Sequence, residues 1–392
     1  MKTKNLILFV VASLILFSCS STQNGDVVIL VIDDFAPPSN EDSPSPEEYA
    51  EGENCAVSPG GQKFGATGTS LAETMANEPH GVTVFNDLTE HDATASFASL
   101  QLGNNPNQRW LKHMAIWESM QGDVIVAGVD TGRYTTTDIV GNIRSAMSLF
   151  GGGADINLAD GTSLSLNPVS RFVVNMSFAI VPCELLIITP EDYDDLLEQD
   201  PELGDLRDDI ETLIPSIDPQ LTQRIVLMSY FYNNRDSGFD DTKDPLYTEV
   251  ANKSNDPNIV FVASAGNSGE FVEFFPFPFA PAKWDFVISV SSEGKETEDE
   301  DSPPCYRNGI AEYSNCGEVM MNGDDTVDQG DNKGTSYAAP KLSLRLAIAM
   351  MNDEFSSCAA ANTALAIFGY AGENGDWRNL SYDDALAEFC IP

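Results

Sequence analysis

The sequence predicts an α/β fold in three layers, a mostly parallel sheet with helices on both faces. Three observations predict it. Short runs such as "DVVILVIDDF", "DVIVAGV", "RFVVNMSF" and "NIVFVAS" are apolar almost throughout, as strands buried on both faces are. Helical patterns lie between them, the alternation that builds a parallel sheet. The chain's 392 residues and 42% hydrophobic content suffice for one large domain or two ordinary ones. No internal repeat and no clear break divides them.

Taken in order, "DVVILVIDDF" at 26–35 is β-rich and reads as a buried strand. Residues 36–68 are rich in Pro, Ser, Gly and Glu, a surface excursion. "TSLAETMANEPHGVTVFNDL" leads into a helix after His80. "NNPNQRWLKHMAIWESM" is expected to be helical, with Trp110, Met114 and Trp117 on one side and His113 as a structural member. "DVIVAGV" is a strand. "TTTDIVGNIRSAMSLF" is a helix with a threonine cap and apolar Ile139, Ile143, Met147 and Phe150. "RFVVNMSF" is again a strand. Residues 184–242 form an acidic insertion with helical patches such as "PEDYDDLLEQ". "YTEVANKS" is a helix, "NIVFVASAGNSG" runs from strand into loop, and "WDFVISVSS" is one more strand. "GTSYAAPKLSLRLAIAMMNDEF" reads as a long, mostly buried helix, and the tail ends in the helical pattern "SYDDALAEFC".

Charge excludes one class of partner. With 61 acidic against 20 basic residues the formal net charge is −41. Such a surface repels nucleic acid and anionic headgroups, so no nucleic acid is expected as a partner. Solubility is the simplest reading of the acidity; attraction of basic substrates is the sharper one.

The first residues read as an export signal. Lys2 and Lys4 give a positive start, and Leu6 to Phe17 an apolar stretch too short for a comfortable span. It ends in "LFSC", which resembles the lipobox of bacterial lipoproteins. That resemblance implies a signal over 1–19 and a lipid on Cys19, anchoring the exported protein to a bacterial membrane at its periplasmic face or the cell surface. A plain secretory signal or an uncleaved anchor is the alternative. Six further cysteines, an even number, favour disulfides in an exported chain. Proximity suggests Cys305–Cys316 and Cys358–Cys390, leaving Cys55–Cys183.

Two stretches carry chemistry. In "GTSYAAP", 334–340, Gly334 permits a tight bend, Ser336 stands at a helix start and Pro340 suits a first turn. A serine there lies near unsatisfied backbone N–H groups and the positive end of the helix dipole, the donors an oxyanion needs. An ordinary helix cap has the same look. In "FVASAGNSG", 261–269, an apolar strand ends in small residues and then Asn267. Small Ala265 and Gly266 leave room for a substrate, and the Asn267 amide has a hydrogen bond to donate. A turn asparagine is the plain reading.

Together these stretches resemble the serine and oxyanion-asparagine motifs of the subtilisin-like serine proteases, the subtilases. "VVNMSF", 173–178, resembles that family's substrate-lining strand, with the backbone near Ser177 pairing with an extended substrate, and "PFAPAKWDFVISVSS" resembles the stretch after the asparagine. The resemblance implies a subtilisin-like three-layer fold over residues 27–357, between a tether at 20–26 and an extension at 358–392 packed on the domain. It also implies serine endopeptidase activity on polypeptides.

Subtilases run Asp, His, Ser along the chain. His80, His91 and His113 all precede Asp130, so "VIVAGVDTGRY" does not supply the family's aspartate. "VILVIDDF" resembles the aspartate strand and places that residue at Asp33, with Asp34 facing the other way along an alternating strand. "HGVTV" resembles the histidine motif and points to His80, although Thr83, Phe85 and Asn86 replace the usual second histidine and alanine-glycine pair. The resemblance thus implies Asp33, His80 and Ser336 as a triad and Asn267 as oxyanion donor. It implies Ser177, Ala265 and Gly266 along the substrate. Only 14 residues separate Cys19 from Asp33 (33 − 19), too few for a folded pro-segment.

No cofactor is expected to be required. "NGDDTVDQGDN", 322–332, is acidic enough to take calcium but lacks the terminal glutamate of an EF-hand loop, and a solvated acidic loop is the expected reading. The rival to a protease is a catalytically inactive subtilase-fold surface binding protein, for which the altered histidine motif speaks. An esterase-type serine hydrolase is a third option.

Overall fold

The computed structural model describes residues 25–33, 52–57, 96–118, 122–131, 135–186, 190–213, 241–267, 278–294, 309–323, 333–351 and 380–381, with a few isolated positions between. Its centre is β1 (Val27–Asp33), in which every residue is buried. A strand enclosed on both sides has no polar face to show, which is why it reads as an unbroken apolar run. β5 (Asp123–Asp130) and β8 (Arg171–Met176) flank it in parallel. Next to β8 come β10 (Ile259–Ser264), β11 (Ile288–Ser292), β12 (Val319–Met321) and β13 (Leu380–Ser381), all parallel. On the other side, β4 (Leu111–Glu118) and β3 (Ser96–Leu100) add an antiparallel edge. Among the described residues this makes one sheet of nine strands.

Alternation along β1 sorts the core into two halves. Val27, Ile29 and Val31 pack with Leu342, Leu346 and Ile348 of α5 (Thr335–Met351). Val28, Leu30 and Ile32 pack with Ile139, Ile143 and Phe150 of α1 (Thr136–Gly151) and with Leu246 and Val250 of α4 (Pro245–Lys253). Helices therefore cover both faces, the three-layer α/β arrangement expected. α1 buries the four apolar residues singled out by their spacing, and the Thr135 hydroxyl accepts from the Asp138 N–H at 3.1 Å as its cap. In the insertion, α2 (Pro190–Gln199) and α3 (Pro201–Leu213) form, with Leu203, Leu206 and Ile210 buried.

A small second sheet pairs β2 (Asn54–Val57) with β9 (Ala179–Pro182), and the disulfide Cys55–Cys183 closes over it; a third pairs β6 (Asp155–Asn157) with β7 (Ser163–Ser165). The Cys55–Cys183 bond is the pairing expected. Cys316 is also disulfide-bonded; Cys305, Cys358 and Cys390 lie outside the described residues. Asp244, 1% exposed, ties this corner together. Its Oδ1 accepts from the N–H groups of Leu246 and Tyr247, capping α4, while Oδ2 accepts from Asn54 Nδ2 at 2.7 Å and Thr136 Oγ1 at 2.9 Å.

Three expectations are corrected. The segment expected to be a helix around Trp110, Met114 and Trp117 is a one-turn 3-10 piece, Pro106–Gln108, followed by β4. Met114 and Ile116 face the α1 half of the core and Ala115 and Trp117 the α5 half. With both faces buried, the apolar residues satisfied a helical and a strand period at once, and sheet pairing decided between them. His113 accordingly sits in a strand, opposite Gly128, with burial lowering its pKa. Pro340 lies inside α5 rather than in its first turn. In the tail, Leu380–Ser381 pair with β12, and the rest of the expected helix lies outside the described residues.

Candidate active site

The parallel strands β1, β8 and β10 all end at one edge of the sheet, where open α/β sheets bind their ligands. Register fixes who stands there. Ile32 pairs with Met176, and Met176 with Ala263, so Asp33, Ser177 and Ser264 end level with one another. Asp33 is 7% exposed and continues the row Val27, Ile29, Val31, the row that faces α5. The first turn of α5, with Ser336, meets the same edge. Ser336 is partly exposed while Thr335 and Tyr337 on either side are buried.

The start of α5 is tied to the loop after β10. Gly334 begins the helix, its carbonyl accepting from the N–H of Tyr337 at 3.0 Å and of Ala338 at 3.4 Å. Asn267 Oδ1 accepts from the Thr335 N–H at 2.8 Å and from Thr335 Oγ1 at 3.0 Å. An amide has one acceptor end and one donor end. With Oδ1 engaged by Thr335, Nδ2 is the end left to donate. A side chain at Gly334 would bring its Cβ within 3.2 Å of that Nδ2, so glycine keeps the space beside the amide open. Within the first turn the Ser336 N–H has no helical carbonyl four residues back. The start of α5 thus holds two donors without a helical partner, the Asn267 amide beside Gly334 and the Ser336 N–H.

Ala265 and Gly266 line this loop with their backbones already engaged. The Ala265 N–H donates to the Val290 carbonyl at 2.9 Å and its carbonyl accepts from Phe279 at 3.1 Å. The Gly266 N–H donates to Thr335 Oγ1 at 3.2 Å and its carbonyl accepts from Asn315 at 2.9 Å. Gly266 has φ +120°, and a Cβ there would meet the Phe279 ring at 2.8 Å, so only glycine fits. Ser177, 3% exposed, accepts from Asn175 Nδ2 at 3.1 Å and reaches the Ser336 carbonyl at 3.5 Å.

Asp130 is the register partner of Asp33 and is engaged elsewhere: Lys112 Nζ lies 3.2 Å from its carboxylate, and Asn142 Nδ2 donates to its carbonyl at 2.7 Å. Ser336, Asn267, Ser177, Ala265 and Gly266 are therefore brought together, with Asp33 at the same edge. His80, Asp34, Cys19 and residues 324–332 of the acidic loop lie outside the described residues. Among the described residues no group of three or more His, Cys, Asp or Glu is arranged to hold a metal, and no helix is long and apolar enough to cross a membrane. Sequence reasoning passed over Thr335, which orients the Asn267 amide, and Asn175. The signal for Asn175 was a polar residue inside an otherwise apolar strand run.

Comparison with known proteins bears on this arrangement. No curated protein matches the chain. A solved structure described as a cold adapted subtilisin-like serine proteinase is 13% identical, covering 87% of this chain and 86% of its own, with a TM-score of 0.32. At that level the likeness carries no argument of its own. The model of the subtilase family of peptidases, by contrast, matches residues 96–364, well over half of the chain. That span contains Ser177, Asn267 and Ser336 and begins after Asp33 and His80. With this match, and with a mostly parallel sheet covered by helices on both faces, the chain belongs to the subtilase family.

Proposed function

We propose that this subtilase is a serine endopeptidase, hydrolysing polypeptides through Asp33, His80 and Ser336 with Asn267 in the oxyanion hole. The observation that carries the reading is the amide of Asn267, turned by Thr335 so that its donor end is free beside the helix start that presents Ser336. In this reading Asp33 holds His80 in the required tautomer and stabilises its cation. His80 takes the proton from Ser336, whose oxygen attacks the peptide carbonyl. The Asn267 amide and the Ser336 N–H receive the negative charge as it develops on the carbonyl oxygen. His80 then returns the proton to the leaving amine, and water releases the acyl group. Histidine suits the base because its pKa lies near neutral pH. The chemistry needs no cofactor, and a calcium ion on the acidic loop would serve only to hold that loop.

The protein works outside the cytoplasm, held to a membrane by a lipid on Cys19. The Cys55–Cys183 disulfide, which persists in oxidising compartments, supports the location. Incorporation of a fatty-acid analogue that is lost in Cys19→Ser is the expected sign of the anchor.

A second reading is an inactive subtilase-fold binding protein. Its support is specific: "HGVTV" departs from the family's histidine motif, and the family match starts downstream of it. One experiment separates the two. The soluble chain beginning after Cys19 is treated with a fluorophosphonate and the adduct mapped by mass spectrometry. Adduct at Ser336 in the wild type and none in His80→Ala is the expected result. A folded wild type that takes no label is the binding protein.

A further inference from the structure

Asn175 is fully buried near the carboxyl end of β8, beside Val174 and Met176. An amide there costs free energy unless both ends find partners. Both do. Oδ1 accepts from Ser343 Oγ at 3.1 Å, a hydroxyl shared with the Ala339 carbonyl at 3.0 Å. Nδ2 donates to Ser177 Oγ at 3.1 Å, and the Ser177 hydroxyl in turn donates to the Ser336 carbonyl over a long 3.5 Å.

That carbonyl has a reason to look outside the helix. In an α-helix the carbonyl of residue 336 takes its hydrogen bond from the N–H of residue 340. Residue 340 is Pro340, inside α5, and proline has no N–H. The donor missing from the helix is replaced by Ser177, the residue that follows β8. A continuous line of hydrogen bonds runs from the second and third turns of α5, through the strand, back to the residue that bears the nucleophile.

We propose that Asn175 is a positioning residue: through Ser177 it fixes the peptide unit that carries the Ser336 carbonyl and the Tyr337 N–H, and with it the backbone from which the Ser336 hydroxyl projects. It touches no substrate. The proposal rests on the peptidase reading of Ser336 and names the support behind it. Attack geometry is sensitive to small displacements, so loosening this peptide unit slows the chemistry rather than binding.

The test uses Asn175→Ala, Ser177→Ala and the double variant. Asn175→Ala lowers kcat about tenfold and leaves KM within about twofold. Ser177→Ala lowers kcat by a similar factor, and the double variant is no slower than the slower single, because both act through one line of bonds. Amide hydrogen exchange at Tyr337 and Ala338, bonded to the Gly334 carbonyl, speeds up in each. Should Asn175→Ala not fold, Ser177→Ala carries the same kcat and exchange expectations. An unchanged kcat in a folded variant, or losses that multiply in the double, overturns the proposal. A wild type that takes no fluorophosphonate at Ser336 sinks the peptidase reading instead. Exchange then decides by itself: faster at Tyr337 and Ala338 sustains the positioning role, and unchanged exchange overturns it.

Discussion

The side chain of Asn267 is held by its oxygen. Thr335 supplies two donors to Oδ1, so under the proposed mechanism the amide would not need to turn to meet negative charge at Nδ2. Asn267→Ala removes that donor and is expected to lower kcat about 100- to 1000-fold with little change in KM, the range found for such a donor in subtilisin. Steady-state kinetics on one peptide substrate check it. Glu318 makes a different prediction. Burial pushes its carboxyl up to about 8, opposed by hydrogen bonds from the Ser289 backbone and side chain. The folded protein keeps this proton where the unfolded chain, with an ordinary carboxyl near 4.5, has lost it. Stability from Glu318 is therefore complete below about 4.5 and is lost as pH rises towards about 8. Glu318→Gln is expected to flatten that decline in denaturant titrations at several pH values across the window. An unchanged slope would mean that another group carries it.

Elements in this fold are held by their ends as much as by their faces. α1 starts on Thr135 and α4 on Asp244, and Thr136 of α1 donates to the same Asp244 carboxylate that caps α4. Cutting Asp244 back to alanine uncaps α4 and strands the donors of Asn54 and Thr136 in a buried corner. The expected loss is about 3 kcal/mol of unfolding free energy, read by chemical denaturation. Asp244→Asn, which keeps one acceptor oxygen, is expected to lose less. α5 has a different anchor. Its apolar side lies across β1, β8, β10 and β11, and its first turn is tied to Asn267 and Ser177. One helix thus belongs both to the core and to the site, and errors in packing pass directly to the serine.

At the scale of the molecule, the sheet brings distant segments to one edge, and the small β2–β9 sheet pins another. The Cys55–Cys183 bond closes a separation of 128 residues. A cross-link over so long a loop limits the unfolded chain, so its removal destabilises although no core side chain changes. The double variant Cys55→Ser with Cys183→Ser is expected to lose about 2–5 kcal/mol, measured as a fall in denaturant midpoint. Reductant is expected to lower the stability of the wild type by more than that of the variant, which keeps the disulfide of Cys316.

The sequence by itself determined the strands that are buried on both faces and the helix with a regular apolar stripe. β1, β5, β8 and β10 read correctly because continuous apolar runs have few other uses, and α1 because its cap and period agree. It also marked Ser336 and Asn267, whose neighbours need glycine and small residues for local reasons. Only the tertiary structure decided the rest. β4 satisfied two periods at once, and its pairing with β5 settled which one applied. β2 and β9 are each four residues long, too short to show a pattern of their own. Asp244, Thr335 and Asn175 matter through partners far along the chain, such as Ser343, 168 residues from Asn175. Local sequence encodes what a segment prefers; which polar groups meet in the interior depends on the whole chain closing around them.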